Sequence, residues 1–281
     1  MNWGAPHWSW LHRLRGGSLR LLCGWAAGVL GVSAAPCQES NFSVAGGLLN
    51  TASQWREFSV AGRVLVHESG HLSGESLNAN YLCAPWRVHG QLAVLQGTRA
   101  YQGQTSGGRA VVSHSSIRQQ EGKLQVFYEF TDAWQLGGQL TRLTLKRELA
   151  SASGALGYPE HFDWTSLSMG VQWQPRLGPG QWTLTAWLGT SLDSRLRVTL
   201  PGRDTTSMPP GASQHRALAA SWRTQLTPGW YLQASVDYRR TDLDLGAPAV
   251  VRRHGLPVGT VHQPETQFTD RMAAVHLGYT F

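Results

Sequence analysis

The sequence feature that most constrains the fold is a set of short segments in which apolar and polar residues alternate strictly. The alternation is clearest at residues 124–130, 167–173, 182–188 and 230–238. A period of two places every second side chain on the same face of a β-strand. Beyond the N-terminal segment, no stretch approaches the roughly 18 consecutive apolar residues of a membrane-spanning helix, so a helical membrane bundle is excluded. Alternation alone fits both a soluble β-sandwich and a closed β-barrel, and the turns must decide between them.

The turns carry a repeated signal, in which breaker residues are followed by a tryptophan and a new alternating segment. Four of these tryptophans, at positions 86, 134, 182 and 230, follow one another at intervals of 48 residues. A repeat of this length fits two membrane-length strands with a connecting loop. Five such units give ten strands, and they begin at Trp55, Trp86, Trp134, Trp182 and Trp230. Twelve strands would require one more break, within residues 109–131 or near residues 41–49.

The connections on the other side of these units are long, polar and rich in glycine and proline. They include residues 150–163, 201–214 and 240–267. Short turns at one rim and long loops at the other are typical of outer-membrane β-barrels, in which aromatic residues line both membrane interfaces. The five unit-starting tryptophans are therefore expected at the rim with the short turns, on the periplasmic side.

The C-terminus carries a resemblance to a known superfamily. The last nine residues place a row of apolar side chains on one face, namely Ala273, Val275, Leu277, Tyr279 and Phe281. This segment resembles the terminal strand of Gram-negative outer-membrane β-barrel proteins, which ends in Phe with an aromatic residue two positions earlier. The resemblance implies an all-β, antiparallel, up-and-down barrel in the bacterial outer membrane. It also implies that Tyr279 and Phe281 are an insertion signal for the barrel-insertion machinery, and that membrane lipids and lipopolysaccharide are partners.

The N-terminal segment has the composition of a secretory signal peptide. Three arginines within the first twenty residues precede an apolar run at 21–35, which closes on the small residues Val32-Ser33-Ala34. A retained single-span anchor is the alternative, but the run is short for it and contains three glycines. We therefore expect a signal peptide at 1–34, a periplasmic N-terminal lead at 35–54 and the barrel at 55–281.

Two cysteines remain once this segment is removed. Cys37 would lie in the periplasmic lead, and Cys83 at the first short turn. Because both positions are expected on the same side of the membrane, in an oxidising compartment, a disulfide bond between Cys37 and Cys83 is feasible.

Charged residues make up only 15% of the chain, and its net charge of +7 is scattered rather than clustered, so no nucleic-acid partner is expected. The parity of the strands predicts lumen-facing charges at Arg63, Arg87, Glu129, Arg195, Arg197, Arg223, Asp237 and Arg239, together with Glu57 and Asp193. A ten-stranded barrel has a narrow interior largely filled by side chains, so a packed network is expected. The alternative is a slender channel that prefers anions, since arginines outnumber acids in this set.

Two motifs suggest chemistry. The sequence His67-Glu68-Ser69-Gly70-His71 matches the H-E-x-x-H pattern that binds zinc on a helix, but it follows a strand-like run and contains a glycine. We expect it in the first long-side loop and assign no metal, with His67 and His71 as the residues that would bind one.

The second motif is His114-Ser115-Ser116. It is similar to the His-x-Ser pair of outer-membrane lipid A deacylases and phospholipases, in which the histidine activates the serine. The resemblance implies His114 as base, Ser116 as nucleophile and Glu121 as an orienting acid. However, Ile117 stands where those families usually have Asn.

The sequence thus predicts a non-enzymatic outer-membrane barrel without a cofactor, which supports the envelope or passes small solutes through a narrow channel. Two alternatives remain open at this point: an acyl hydrolase of lipid A or phospholipids, and a secreted soluble β-sandwich that binds a partner.

Overall fold

The computed structural model describes residues 40–105, 108–152 and 154–281. These residues form thirteen β-strands: β1 (Ser40–Phe58), β2 (Val64–Cys83), β3 (Trp86–Gln104), β4 (Ala110–Thr131), β5 (Trp134–Leu149), β6 (Pro159–Trp173), β7 (Gln181–Val198), β8 (Thr206–Met208), β9 (Ser213–Gln225), β10 (Trp230–Leu243), β11 (Ala249–Arg253), β12 (Leu256–Val261) and β13 (Glu265–Thr280). In this described part of the chain, no helix could cross a membrane.

Ten long strands close into an antiparallel barrel. Each pairs with the next along the chain, in the order β1 to β7, then β9, β10 and β13. The last strand pairs with the first over its whole length, from Ser43 with Thr280 to Phe58 with Glu265. The predicted all-β barrel of ten strands is confirmed, and the soluble β-sandwich is wrong because one continuous sheet closes on itself and leaves no second sheet to pack against.

The two ends of the barrel differ in their connections. One end, the short-turn end, carries residues 84–85, 132–133, 174–180 and 226–229, together with the start of β1 and the end of β13. The other, the long-loop end, carries the connections that follow β1, β3, β5, β7 and β10. The first of these, residues 59–63, is a tight turn, and the Gly108 amide donates back to the Thr105 carbonyl in the second. Both connections are short because β1 to β4 extend further than the sequence suggested. The 244–264 loop contains the β11–β12 hairpin, and the 199–212 loop contains β8.

The barrel begins earlier than predicted. Its first strand starts at Ser40, so residues 40–54 belong to the barrel and not to a periplasmic lead. The sequence missed this part because glycines and small residues interrupt its alternation. The predicted signal peptide at 1–34 lies outside the described residues. Residues 110–131 form one unbroken strand, β4, which excludes the extra break that twelve strands would need.

The outer wall is divided into two zones. Next to the short-turn end, the outward side chains are apolar, and this apolar belt includes Leu48, Leu77, Leu92, Val94, Leu124, Val126, Leu136, Leu140, Leu167, Met169, Leu184, Leu188, Leu218, Val236, Val275 and Leu277. Toward the long-loop end the same strands turn polar outward, as where Gln96 and Thr98 follow Val94 on β3. We call this second zone the polar extension. Since about 9–11 tilted residues cross a bilayer, strands of 16 to 22 residues such as β1 to β5 project well beyond it.

Aromatic side chains line the short-turn rim. Trp86 packs edge-on against Tyr128 at 4.9 Å between ring centroids, and Trp230 does the same with Tyr279 at 5.3 Å. Trp134 stacks on Trp173 at 5.7 Å between ring centroids, and Trp182 is also exposed at this rim. Four of the five predicted rim tryptophans, 86, 134, 182 and 230, are therefore at the rim.

The prediction is wrong for Trp55. Because β1 starts at the short-turn end, Trp55 lies near the opposite end of that strand, where its side chain points inward and is fully buried. Phe42 occupies the rim position on β1 instead, stacked on Phe281 at 5.8 Å.

Candidate functional site

The lumen differs between its two halves, and the half next to the long-loop end is filled by an aromatic cluster. Trp55 packs edge-on against Phe162 at 5.1 Å and against Phe268 at 5.8 Å, and Trp164 completes the cluster. Fully buried leucines surround these rings, namely Leu72, Leu145 and Leu196. Side chains from β1, β2, β5, β6, β7 and β13 thus meet across the barrel axis. We call this packed cluster the seal.

Charged groups are packed into the same half of the lumen, centred on Arg147. This guanidinium, 1% exposed, donates two hydrogen bonds to Glu68, from Nη2 at 2.6 Å and from Nε at 3.0 Å. Its Nη1 also donates to Glu160 and lies 3.5 Å from a Glu57 carboxylate oxygen. The indole ring of Trp55 lies 5.2 Å from the guanidinium carbon. Three carboxylates and one aromatic face therefore compensate the buried charge.

Arg99 extends this network toward the C-terminal strand. Its Nη2 donates to the Ser53 hydroxyl at 2.8 Å, and Ser53 in turn donates to Asp270 at 2.5 Å. Its Nη1 is 3.8 Å from Glu68, which also accepts a hydrogen bond from Ser115 at 2.9 Å. Glu68 thereby links both arginines. We call Glu57, Glu68, Arg99, Arg147, Glu160 and Asp270 the buried charge network.

A second set of ion pairs crosses the middle of the lumen. Arg239 on β10 donates to Glu121 on β4 at 2.7 Å and to Asp237 at 2.9 Å. Lys123 approaches the same Glu121 at 3.2 Å. These contacts join opposite walls of the barrel.

Toward the short-turn end, the lumen opens into a polar cavity of about 280 Å³. Glutamine amides bridge neighbouring strands there: Gln125 donates to Gln139 at 2.7 Å, and His89 is hydrogen-bonded to Gln125 at 2.8 Å. Arg87 and Arg223 also line this cavity. A polar space of this size holds water or a small polar solute. Trp164 and Phe268 of the seal bound it on the side of the long-loop end.

The structure places the predicted lumen charges in three groups. Arg87, Glu129, Arg223, Asp237 and Arg239 face the lumen. Arg63 does not: it ends the exposed turn at 59–63, where its carbonyl accepts a hydrogen bond from the Ser59 amide at 2.8 Å. Asp193, Arg195 and Arg197 are also exposed on the outer wall, and the predictions for Asp193 and for these three arginines are wrong.

The reason for the outward arginines is a β-bulge in β7. Thr165 pairs with Asp193 while the next residue, Ser166, pairs with Ser191, which leaves Leu192 without an opposite partner. One extra residue inverts the parity of everything beyond it. Leu196 consequently points inward and is fully buried, while Arg197 points outward and donates to Asp163 at 3.0 Å.

Most of the buried charge network was missed by sequence reasoning. Apart from Glu57, its members lie on strands whose inward face is apolar in this half of the lumen, such as β5, where Leu143 and Leu145 precede Arg147. Alternation is then lost because both faces carry apolar residues. Continuing the parity of Gln135 and Gln139 along β5 would have placed Arg147 inside. The inward charges include both signs in similar numbers, so the expected excess of arginine in the lumen is not found among the described residues.

The candidate hydrolase residues are not brought together. His114 and Ser116 are exposed on the outer face of β4, whereas Glu121 points into the lumen and binds Arg239. The two outward residues also lie in the polar extension, since Arg118 and Gln120 separate them from Leu124 of the apolar belt. The geometry therefore lacks the acid that would orient His114, and the pair lies beyond the apolar belt.

The H-E-x-x-H residues lie on strand β2 and not in a loop. His67 and His71 point outward, and Glu68 points inward into the buried charge network. Four residues of extended chain separate two side chains by about 13 Å, so these histidines do not share a ligand sphere as they would on a helix. Cys83 is disulfide-bonded, and its predicted partner Cys37 lies outside the described residues.

Two of the long loops are tied to each other at the long-loop end. Asp204, in the 199–212 loop, accepts hydrogen bonds from the amides of Gly255 at 2.8 Å and His254 at 3.2 Å. These residues form the two-residue turn of the β11–β12 hairpin, in which both have positive φ angles. The Asp204 amide also donates to the Arg252 carbonyl at 2.9 Å. Hydrogen bonds from Gly255 and His254 lower the pKa of the Asp204 carboxyl.

No protein-family model matches the sequence, and no curated protein matches it. Solved structures do resemble the fold. The outer membrane protease OmpT from Escherichia coli aligns with a TM-score of 0.52 and 11% identity, covering 87% of this chain and 97% of OmpT. The translocator domain of the autotransporter NalP from Neisseria meningitidis gives 0.49 and 11%, covering 93% and 94% of the two chains. At these identities the likeness to OmpT shows a shared architecture and carries no information about activity.

Proposed function

We propose that this outer-membrane β-barrel is a non-enzymatic, non-conducting protein that presents its polar extension and long loops as an interaction surface at the cell exterior. The observation that carries the proposal is the seal in the lumen. Trp55, Phe162 and Phe268 meet on the barrel axis, and the Arg147 ion pairs hold the same level. A solute would have to displace buried rings and compensated charges to pass.

The surface beyond the membrane supports an interaction role. The strands continue past the apolar belt, and the 199–212 and 244–264 loops are held together by Asp204. A preordered surface loses less conformational entropy on binding a partner than free loops do. The surface is also chemically mixed: outward Arg142 and Arg197 both lie within ion-pair distance of Asp163.

Planar-bilayer recording tests the sealed lumen. Purified, refolded protein should give no stepwise current, whereas the double variant Trp55→Ala/Phe268→Ala should conduct, because it removes two rings from the seal. Trp86→Ala is the matched control, since it removes a ring of the same kind from the rim. Reproducible channel steps from the wild-type barrel would contradict a sealed lumen.

The absence of catalysis is tested separately. Ser116→Ala should leave the lipid A and phospholipid acylation pattern of expressing cells unchanged, because Ser116 is remote from Glu121 and from the acyl region. An acylation pattern that depends on Ser116 would instead support the alternative that the protein is an acyl hydrolase. For the N-terminus, we propose that residues 1–34 are a cleaved signal peptide, which N-terminal sequencing of the membrane-extracted protein would verify.

A further inference from the structure

A shallow groove runs obliquely across the outer wall within the apolar belt. It has a volume of about 830 Å³ and follows one row of directly paired outward residues on adjacent strands. The row is Trp173, Leu184, Ala220, Val236, Ala273 and Asn50. Neighbouring strands are about 4.8 Å apart, so the groove spans about 24 Å from β6 to β1.

Small side chains create this groove. Ala220 and Ala273 lie in the row itself, and Ala186 lies in the adjacent row, while the larger Leu218 and Tyr238 form its edge. The lining is almost wholly apolar along its length. An apolar trough of this length matches a fatty acyl chain better than it matches an extended protein segment, whose backbone groups would be left unpaired in the membrane.

Arginines lie where the groove reaches the upper edge of the apolar belt. Arg216, Arg240 and Arg271 are the first polar outward residues on the adjacent strands β9, β10 and β13. Arg271 lines the groove itself, and its guanidinium has no hydrogen-bond or ion-pair partner among the residues that the structure describes. Arg240 is partly neutralised by Asp242 at 2.9 Å.

Two of these arginines lie directly opposite each other. Arg216 and Arg240 are paired across β9 and β10, an arrangement that costs stability because like charges face each other. Three arginines against a single aspartate leave an excess of positive charge at this point. A ligand with more than one negative group would offset the repulsion and give charge-assisted hydrogen bonds.

We infer that this groove and its arginines form a binding site for lipid A, the phosphorylated and multiply acylated anchor of lipopolysaccharide. In the orientation proposed above the long-loop end faces the cell exterior, so the inference rests on that proposal: the arginines then lie at the headgroup level of the outer leaflet, where lipid A is the anionic lipid. In this assignment Arg216, Arg240 and Arg271 bind its phosphates, and one acyl chain lies in the groove over Ala220 and Ala273. The site is independent of whether the lumen conducts.

Native mass spectrometry of the delipidated, refolded protein tests the site with defined lipids. Bisphosphorylated lipid A should bind in preference to its dephosphorylated form and to phosphatidylglycerol. Arg240→Ala/Arg271→Ala should weaken lipid A binding by about tenfold or more, since hydrogen bonds between charged groups contribute on the order of 1.5–3 kcal/mol. Ala220→Trp should weaken it by filling the groove while the arginines remain.

Matched controls exist on the other side of the barrel. Arg118→Ala removes an exposed outward arginine from β4, and Gly90→Trp adds a ring at an open outward position on β3. Both should bind lipid A like the wild type, and heat-modifiable migration verifies that every variant is folded. Equal binding of phosphatidylglycerol or dephosphorylated lipid A, or undiminished binding by Arg240→Ala/Arg271→Ala, would overturn the assignment.

Discussion

At the scale of single residues, the most consequential arrangement is the pairing of Arg147 with Glu68. Both side chains are fully buried, yet each satisfies the other through two hydrogen bonds. Such a pair adds little stability relative to apolar residues, but removing one partner leaves a buried charge without compensation. The pair fixes the position of β2 relative to β5 inside the lumen. A cluster of leucines alone would not specify that position.

Arg147→Met is therefore expected to lower the free energy of unfolding by about 3–5 kcal/mol, because Glu68 loses its main partner. Tryptophan fluorescence during urea unfolding in detergent micelles measures this change. The double variant Glu68→Gln/Arg147→Met should cost less than the sum of the single variants. Arg142→Met is the control: its side chain is 54% exposed, and loss of a surface pair costs less than about 1 kcal/mol. Equal effects of Arg142→Met and Arg147→Met would contradict the description of the network.

Asp204 gives a residue-scale prediction of pH dependence. Its pKa is lowered in the folded loops by the Gly255 and His254 amides, so its contribution is complete above the ordinary carboxyl pKa of 3.8 and is lost as the pH falls through the lowered value. Hydrogen exchange of the 254–255 amides should accelerate over that acidic window. In Asp204→Asn these amides should exchange faster at neutral pH and lose the acid-dependent step. A wild-type exchange profile without this step would argue against the contact.

At the scale of elements, the bulge at Leu192 decides which alternate side chains of β7 face the lumen beyond it. Below it, Trp182 and Leu184 face outward, and beyond it Leu196 and Val198 face inward. The bulge also directs Arg195 and Arg197 to the exterior, where a charged side chain at the level of the polar extension is solvated.

Deletion of Leu192 should therefore be tolerated. It removes only the extra residue, so Ser191 and Asp193 become neighbours that still pair with Ser166 and Thr165, and Arg195 and Arg197 stay outside. Deletion of Thr185 is the matched control: it lies in the regular part of β7 and would turn Trp187 outward and Leu188 into the lumen, so we expect loss of the folded, heat-modifiable form. Comparable folding yields for the two deletions would show that Leu192 is not the residue that sets the parity.

At the scale of the whole molecule, the barrel is longer than the membrane is thick. The apolar belt covers only the half next to the short-turn end, and the seal in the lumen lies at the level of the polar extension. The seal and the charge network are thus surrounded by an outer wall in contact with water. The polar cavity lies within the membrane-embedded half.

Cysteine labelling in intact cells tests this placement. Arg118→Cys should react with a membrane-impermeant maleimide because it lies in the polar extension, whereas Leu124→Cys, six residues along the same outward face, should be protected by lipid. Gln225→Cys at the short-turn end should react only after the cells are permeabilised. Labelling of Leu124→Cys at the rate of Arg118→Cys would place the membrane elsewhere.

The sequence by itself determined the architecture. Alternation at residues 124–130 and 230–238, the repeated turn with tryptophan, and the row ending in Phe281 predicted about ten antiparallel strands, with twelve still open, and the outward face. Each of these signals depends only on local chain geometry and the apolar surroundings of a membrane. The identity of four rim tryptophans followed from the same local rule.

Only the tertiary structure decided the interior. The start of the barrel at Ser40, the inward position of Trp55 and the inverted parity beyond Leu192 depend on the pairing of distant strands, which local alternation does not encode. The buried charge network depends on it still more, because Glu68 and Arg147 meet across the lumen from strands far apart in sequence. Whether a barrel is open or sealed is settled by such contacts across its axis, and these form only once the sheet has closed.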